Sequence, residues 1–109
     1  MTKEEMKKRT KEFAKRIVKL CRALPTNREG KLIGDHLFRA RTSVASNYRS
    51  ACRARSKAEF LAKLGVVEEG ADESLFWLEL IYELQILKPE FLTALIKENN
   101  EILSIVVAT

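Results

Sequence analysis

Apolar residues recur at intervals of three, four and seven along almost the whole chain, which is the spacing of one face of an α-helix. The first such stripe comprises Met6, Phe13, Ile17, Leu20, Cys21 and Leu24. No segment alternates apolar and polar residues as a half-buried strand does, and no segment repeats another. The pattern therefore predicts an all-α fold.

Capping residues and prolines divide this pattern into separate helices. Thr2 with Glu5 has the spacing of a capping box at the start of the first helix. Pro25 ends that helix, because the residue before a proline is disfavoured in the α region. Thr26 with Glu29 repeats the capping-box spacing and predicts the start of the second helix.

The second helix is expected to end near Arg55, since Ser56 with Glu59 forms a third capping-box pattern. The third helix is expected to span residues 57–87. Pro89 suits the first position of a fourth helix, where its missing N–H costs nothing. Short connections between long helices favour antiparallel neighbours. We therefore expect residues 1–109 to form a single domain, an antiparallel up-down-up-down four-helix bundle.

Charge is distributed unevenly along the chain. Residues 1–57 carry 17 lysines and arginines against 5 acidic residues, whereas residues 58–109 carry 3 against 10. The net charge is +5. A bundle that packs the two halves together brings a basic surface close to an acidic one, and any basic surface that stays exposed can meet an anion.

Most of the basic residues are expected on outward faces of the first two helices and the turn that follows them. The candidate nucleic-acid-binding residues are Lys8, Lys11, Lys15, Lys19, Arg22, Arg39, Arg49, Arg53, Arg55 and Lys57. Such arrays bind phosphates through counterion release and arginine hydrogen bonds. No aromatic residue interleaves the stripe on the first helix, so base stacking is not predicted. Two alternatives stay open: a solvated face neutralised by acidic residues of the same or a neighbouring subunit, and a site for an acidic protein.

The third helix carries more apolar surface than one helix of a monomeric bundle needs. The candidate oligomer-interface residues are Val66, Trp77, Leu80, Ile81 and Leu84. Because such a surface promotes aggregation when it is exposed, we expect self-association. A heterologous contact lets a basic patch meet an acidic one on the next subunit, so the charge split favours a cyclic oligomer. The alternative is a monomer that hides most of this surface.

Two polar residues fall inside apolar stripes. Arg41 lies between Leu37 and Val44, and it is expected to need a carboxylate from the third helix or a place at a subunit boundary. Asn99 lies between Leu95 and Ile102, where a polar residue can fix helix register. The alternative is that both residues lie at the edges of their stripes.

Residue patterns typical of enzymes are absent. The acidic cluster at residues 68–73 lacks a Glu-x-x-His partner, and His36 is the single histidine, so no di-metal site is predicted. The chain contains no Gly-rich phosphate loop, nucleophile elbow or Cys–His pair. We therefore expect no catalytic residues, no metal and no cofactor.

The sequence also favours a protein without a membrane partner. No apolar run approaches the ~20 residues that span a bilayer, and the charged N-terminus lacks the apolar core of a signal peptide. Cys21 and Cys52 are expected to be buried thiols in a reducing compartment. A cytoplasmic location is the expectation.

The stretch from Leu37 to Leu80 resembles the four-helix-bundle family of ribosomal-RNA intervening-sequence proteins. The family's R-x-x-x-S-hydrophobic-x-x-N core reads here as Arg39, Ser43, Val44 and Asn47. The S-[KR]-x-E-F turn and the E-x-x-[DE] helix read as Ser56, Lys57, Glu59, Phe60, Glu69 and Asp72. The flanking helices fit by length and pattern, so the resemblance covers nearly the whole chain.

The resemblance implies a pentameric ring without established enzymatic activity. The chain is also similar to the accessory protein of diversity-generating retroelements, a basic pentamer that works with a reverse transcriptase and nucleic acid. We therefore expect a non-enzymatic homopentamer that binds nucleic acid, and RNA is favoured over DNA as its ligand. Possible partners then include an acidic or nucleic-acid-processing protein. The alternative function is an assembly or adaptor module that uses its charged faces for self-association and protein partners.

Overall fold

The computed structural model describes all 109 residues and contains four α-helices without strands. The helices are α1 (Lys3–Ala23), α2 (Arg28–Ala51), α3 (Lys57–Glu83) and α4 (Thr93–Ala108), with a short 3-10 helix, Pro89–Phe91, before α4. The elongated molecule measures 44 × 23 × 18 Å. The predicted all-α four-helix bundle is confirmed.

Helix α1 begins and ends as the sequence predicts. The Glu5 backbone N–H donates to Thr2 Oγ1 at 3.1 Å, and the Thr2 backbone N–H donates to Glu5 Oε1 at 3.2 Å, which completes the capping box. Leu24, directly before Pro25, is extended with ψ 148°. The proline therefore ends the helix by restricting its predecessor.

Helix α2 differs from the prediction at both ends. Asn27, not Thr26, caps it: Asn27 Oδ1 accepts from the Gly30 backbone N–H at 2.8 Å. Gly30 suits this tight start, because a Cβ there would lie 2.1 Å from the Pro25 carbonyl oxygen. The helix ends at Ala51 rather than near Arg55, since the chain must leave it to reach the cap of α3.

Helix α3 starts at its predicted cap but ends before residue 87. The Glu59 backbone N–H donates to Ser56 Oγ at 3.1 Å. At the other end, Gln85 takes the left-handed conformation with φ 55°, and the Ile86 N–H donates to the Ile81 carbonyl at 3.1 Å. This bond pattern is a Schellman motif, which closes a helix without requiring glycine or proline.

The predicted start of the last helix at Pro89 is only partly right. Pro89 opens the 3-10 turn, whose last bond runs from the Leu92 N–H to the Pro89 carbonyl at 2.9 Å. Helix α4 begins at Thr93. Leu92 is fully buried, and its carbonyl accepts from the Ile96 N–H at 2.9 Å, so it anchors the start of α4 in the core.

Residues in contact show that α1 and α2, and α2 and α3, run antiparallel. Phe13 of α1 lies against Arg41 of α2, whereas Leu24, after the end of α1, approaches Gly34, earlier in α2. His36 of α2 stacks on Trp77 of α3, whereas Val44, later in α2, approaches Gly70, earlier in α3. Asn99 of α4 donates from its side-chain nitrogen to the Ala71 carbonyl of α3 at 3.0 Å. The apolar stripes of all four helices meet in one core.

The centre of this core is polar and joins all four helices. Arg41 of α2 is fully buried, its guanidinium lies 4.0 Å from the Phe13 ring centre of α1, and its NH1 donates to Asn99 Oδ1 at 3.1 Å. Asn99 links onward to Ala71 of α3. The expectation of a carboxylate partner from the third helix is wrong, because the acidic residues of α3 at 68–73 are exposed and point away from the core. The alternative that both polar residues lie at stripe edges is also wrong.

Candidate nucleic-acid interface

A groove of about 600 Å³ lies between α1 and α2. Among its lining residues are five of the predicted phosphate-binding residues, and we call the surface they form the basic groove. These five are Lys8, Lys11 and Lys15 on α1, and Arg49 and Arg53 on α2. The antiparallel helices bring the two sets together, because the first half of α1 runs alongside the last half of α2.

The basic groove carries excess positive charge. Four of its five cations, all except Lys15, form no ion pair within the chain. Lys15 donates to Glu12 Oε1 at 3.0 Å, and this bond, with the nearby charges of Lys8 and Lys11, lowers the pKa of Glu12. The lysines around Glu12 favour its charged form, and an incoming phosphate would meet the same positive potential.

Small residues form the floor between the two cationic walls. They are Ala14 on α1, and Thr42, Ala45 and Ser46 on α2. Thr42 Oγ1 donates to the Phe38 carbonyl at 2.8 Å, and Ser46 Oγ donates to the Ser43 carbonyl at 3.3 Å. No aromatic side chain lines the groove. The floor therefore leaves room for a phosphodiester chain but offers no ring on which a base could stack.

The other predicted basic residues lie outside this groove. Lys19 and Arg22 continue the exposed row along α1, and Arg55 and Lys57 are exposed at the turn between α2 and α3. Arg39 lies in a separate cleft between α2 and α3, which Glu69 and Glu73 also line. Arg39, Arg49 and Arg53 are all exposed, as predicted, but Arg39 faces α3, whereas Arg49 and Arg53 face α1.

One predicted interface residue belongs to the core instead. Ile81 is fully buried within the monomer, and three residues before it Leu78 is buried as well. Tyr82, the residue that follows Ile81, is 43% exposed, so the core-facing side of α3 passes through Leu78 and Ile81. Ile81 is therefore unavailable for a subunit contact.

The remaining candidate interface residues retain accessible surface. Val66 is 44% and Leu84 is 59% exposed, while Trp77 and Leu80 are half-buried. Trp77 stacks on His36 with ring centres 4.8 Å apart and donates from Nε1 to Glu73 Oε1 at 3.3 Å. The face therefore combines apolar side chains with carboxylates.

Arg9 links α1 to α4 through ion pairs that the sequence did not predict. It forms a two-bond ion pair with Glu98 at 2.6 and 2.7 Å and reaches Glu101 at 2.9 Å. Hydrogen bonding by Arg9 lowers the pKa of Glu98. Its position four residues before Phe13, beside the apolar stripe, is the signal that could have revealed this link between α1 and α4.

Neither a metal-binding cluster nor a membrane-spanning helix is found in the structure. No cluster of three or more histidine, cysteine or acidic side chains has a geometry that could hold a metal ion. None of the helices combines the length and apolarity that crossing a bilayer requires. Cys21 and Cys52 are unpaired.

The fold and the groove define a small helical-bundle protein with a cationic surface shared by its first two helices. The family model described as 23S rRNA-intervening sequence protein matches residues 2–108, and the chain belongs to this family. The resemblance seen in the sequence is thereby confirmed.

A solved structure from Bacteroides thetaiotaomicron is similar to this chain. It is described as a protein with unknown function from the S23 ribosomal protein family. The TM-score is 0.90 at 29% identity, over 99% of this chain and 96% of the other. None of the curated proteins is significantly similar. Neither the family nor this structure indicates an enzymatic class.

Proposed function

We propose that this chain is a non-enzymatic protein that binds nucleic acid, most favourably RNA, through the basic groove, and that it assembles into a ring-shaped homo-oligomer. The observation that carries the proposal is the meeting of five cations from two helices over a floor of small residues. Four of these cations have no carboxylate partner within the chain. The name of the family supports RNA as the ligand, since it refers to ribosomal RNA.

Binding of this kind draws its free energy from released counterions. Each neutralised phosphate steepens the dependence of affinity on salt concentration, and no base contact is needed. The groove presents lysine ammonium groups on one wall and arginine guanidinium groups on the other. We therefore expect tight binding at low salt, steep weakening as salt rises, and little preference for sequence.

The proposed ring uses the apolar and acidic face of α3. Val66 is exposed beside Glu69 and Glu73, and Leu84 leaves apolar surface exposed at the far end of the same helix. A second subunit can cover this face with a basic surface, and repeating such a contact by rotation closes a ring. The family resemblance favours five members. A cytoplasmic location completes the proposal, and the two unpaired cysteines are compatible with it.

The same face favours a second candidate, an assembly or adaptor module. In that case the cations of one subunit contact the carboxylates of the next, or an acidic protein, and no nucleic acid binds. A salt titration with labelled RNA and DNA separates the two functions. If neither nucleic acid is retained at low salt, the nucleic-acid proposal fails.

Charge reversal tests the basic groove directly. The triple variant K8E/K11E/K15E, which reverses all three lysines that the groove takes from α1, is expected to weaken RNA binding at least tenfold, because it removes phosphate contacts and adds repulsion. A matched control is K31E/K88E/K97E, which changes the net charge equally at exposed lysines outside the groove. Fluorescence anisotropy in equal salt measures both. An equal loss of RNA affinity in the two variants would show that only net charge matters. Dissociation of the oligomer in the groove variant would favour the adaptor function.

Substitution on α3 tests the ring separately. Because Leu84 and Val66 are exposed in the monomer, L84K and V66K should leave its fold intact and dissociate the oligomer, as light scattering after size-exclusion chromatography would show. Circular dichroism checks that the helices persist. An unchanged oligomer in both variants, or a wild type that is monomeric throughout, would contradict the proposed interface.

A further inference from the structure

None of the exposed aromatic side chains, which are Phe38, Phe76, Tyr82 and Phe91, lines the basic groove, and this restricts the kind of nucleic acid that the groove can bind. Phe13 and Tyr48 are buried in the core, and Trp77 is stacked on His36. Phe38 is 43% exposed, but it lines a different cleft with Arg22, near the connection between α1 and α2. A base entering the groove would find no ring to stack on.

Single-stranded nucleic acid binds proteins mainly by stacking its bases on aromatic side chains, each worth about 1–3 kcal/mol, along a positively charged channel. In this groove only the electrostatic part is available. Counterion release is then the main source of affinity, and it is larger per phosphate for a duplex, whose charges are more closely spaced. Duplex RNA is in any case recognised mostly through phosphates, hydroxyls and shape.

The arrangement of the cations also suits a stiff ligand. Within the groove, the exposed α1 cations Lys8, Lys11 and Lys15 extend for about 10 Å along the helix, at a rise of about 1.5 Å per residue. Both helices that carry the groove are regular through this region. A duplex presents phosphates in a fixed row, whereas a single strand must be ordered on the protein at a cost in conformational entropy.

We infer that the basic groove selects base-paired RNA over single-stranded RNA, reading its phosphate backbone and not its bases. This inference rests on the proposed function and specifies its ligand. The slope of log affinity against log salt concentration is steeper for a duplex than for a single strand by about 0.2 per phosphate contact, so five contacts make it steeper by about 1. With equal affinities at 1 M salt, the duplex therefore binds about tenfold more tightly than the single strand at 0.1 M salt.

The test compares a fluorescein-labelled 16-base-pair RNA duplex with one of its strands, chosen so that it cannot pair with itself. Anisotropy titrations between 0.05 and 0.3 M salt yield the dissociation constants and their salt slopes. The duplex is expected to bind about tenfold more tightly at 0.1 M salt, with the steeper slope. The variant F38A is expected to bind both ligands as the wild type does.

The outcomes distinguish failure of this inference from failure of the proposed nucleic-acid-binding function. Equal or tighter binding of the single strand overturns the inference and leaves nucleic-acid binding intact. Weaker single-strand binding by F38A also overturns it, because that loss reveals a stacking contact. Failure of the wild type to bind either RNA at 0.05 M salt overturns the proposed function itself.

Discussion

Replacing Asn99 with leucine is expected to lower the free energy of unfolding by about 3 kcal/mol, although the two side chains have the same number of heavy atoms. Asn99 Oδ1 is the hydrogen-bond acceptor of the fully buried Arg41, whose Nε and NH2 already lack partners. Losing that acceptor leaves a buried charge with no hydrogen bond, the most costly kind of polar defect. Urea denaturation followed by circular dichroism measures the change.

Removing both polar side chains should reverse most of this loss. In R41M/N99L the charge and its acceptor are replaced together, and buried polar networks replaced by apolar residues are often neutral or stabilising. The single variant R41M leaves Asn99 Oδ1 unpaired. Its loss of stability should be about 1–2 kcal/mol, which is less than that of N99L and more than that of R41M/N99L. Additive costs, with the double variant the least stable, would contradict the coupling between Arg41 and Asn99.

The same network predicts a pH dependence. Burial lowers the pKa of Arg41 to about 9, well below its value in the unfolded chain, and the guanidinium is charged at neutral pH in both states. Between the folded and the unfolded pKa the unfolded state binds more protons, and stability therefore rises with pH there. Relative to R41M/N99L, the wild type should gain stability above about pH 9 and show no change below pH 8. Denaturation midpoints of the two proteins across pH 7–10.5 check this.

The second large effect concerns two glycines of α3 that should respond oppositely to alanine. A Cβ on Gly70 would lie 2.9 Å from Val44 Cγ2 and 3.2 Å from the Ala40 carbonyl oxygen, both on α2. Neither atom can move far, because one belongs to a short branched side chain and the other to the backbone. G70A is therefore expected to destabilise the protein by about 1–3 kcal/mol, the usual cost of overpacking.

Gly65 provides the matched control within the same helix. A Cβ there meets no atom within 4 Å. G65A should therefore stabilise the protein by about 0.5–1 kcal/mol, since alanine is the better helix former. Thermal denaturation of G70A, G65A and the wild type measures whether each substitution lowers or raises the stability. Stabilisation by G70A would show that α2 and α3 do not approach closely at this point.

Local signals in the sequence predicted the helices well but their ends only in part. Thr2 and Ser56 cap helices as predicted, because a side-chain oxygen three residues from a free N–H needs no distant partner. The predicted ends near Arg55 and at residue 87 were wrong. Those ends depend on where the chain must turn to reach the next helix, and Gln85 adopts its left-handed turn without the usual glycine.

The candidate site was predicted as a set of residues but not as a surface. The period of α1 alone placed Lys8, Lys11 and Lys15 on one outward face. Only the packing of α2 against α1 showed that Arg49 and Arg53 join them while Arg39 does not. The pattern of one helix contains no information about which neighbour lies beside each of its faces.

By itself, the sequence determined three properties: four amphipathic helices, their up-down order with short connections, and the concentration of positive charge in the first half of the chain. These properties follow from helical period, capping and composition, which act over a few residues. The tertiary structure alone decided that Arg41 is buried against Phe13 and Asn99, and that Ile81 belongs to the core. The physical reason is that burial and partnership depend on contacts between residues that are distant in the chain, and packing selects those contacts.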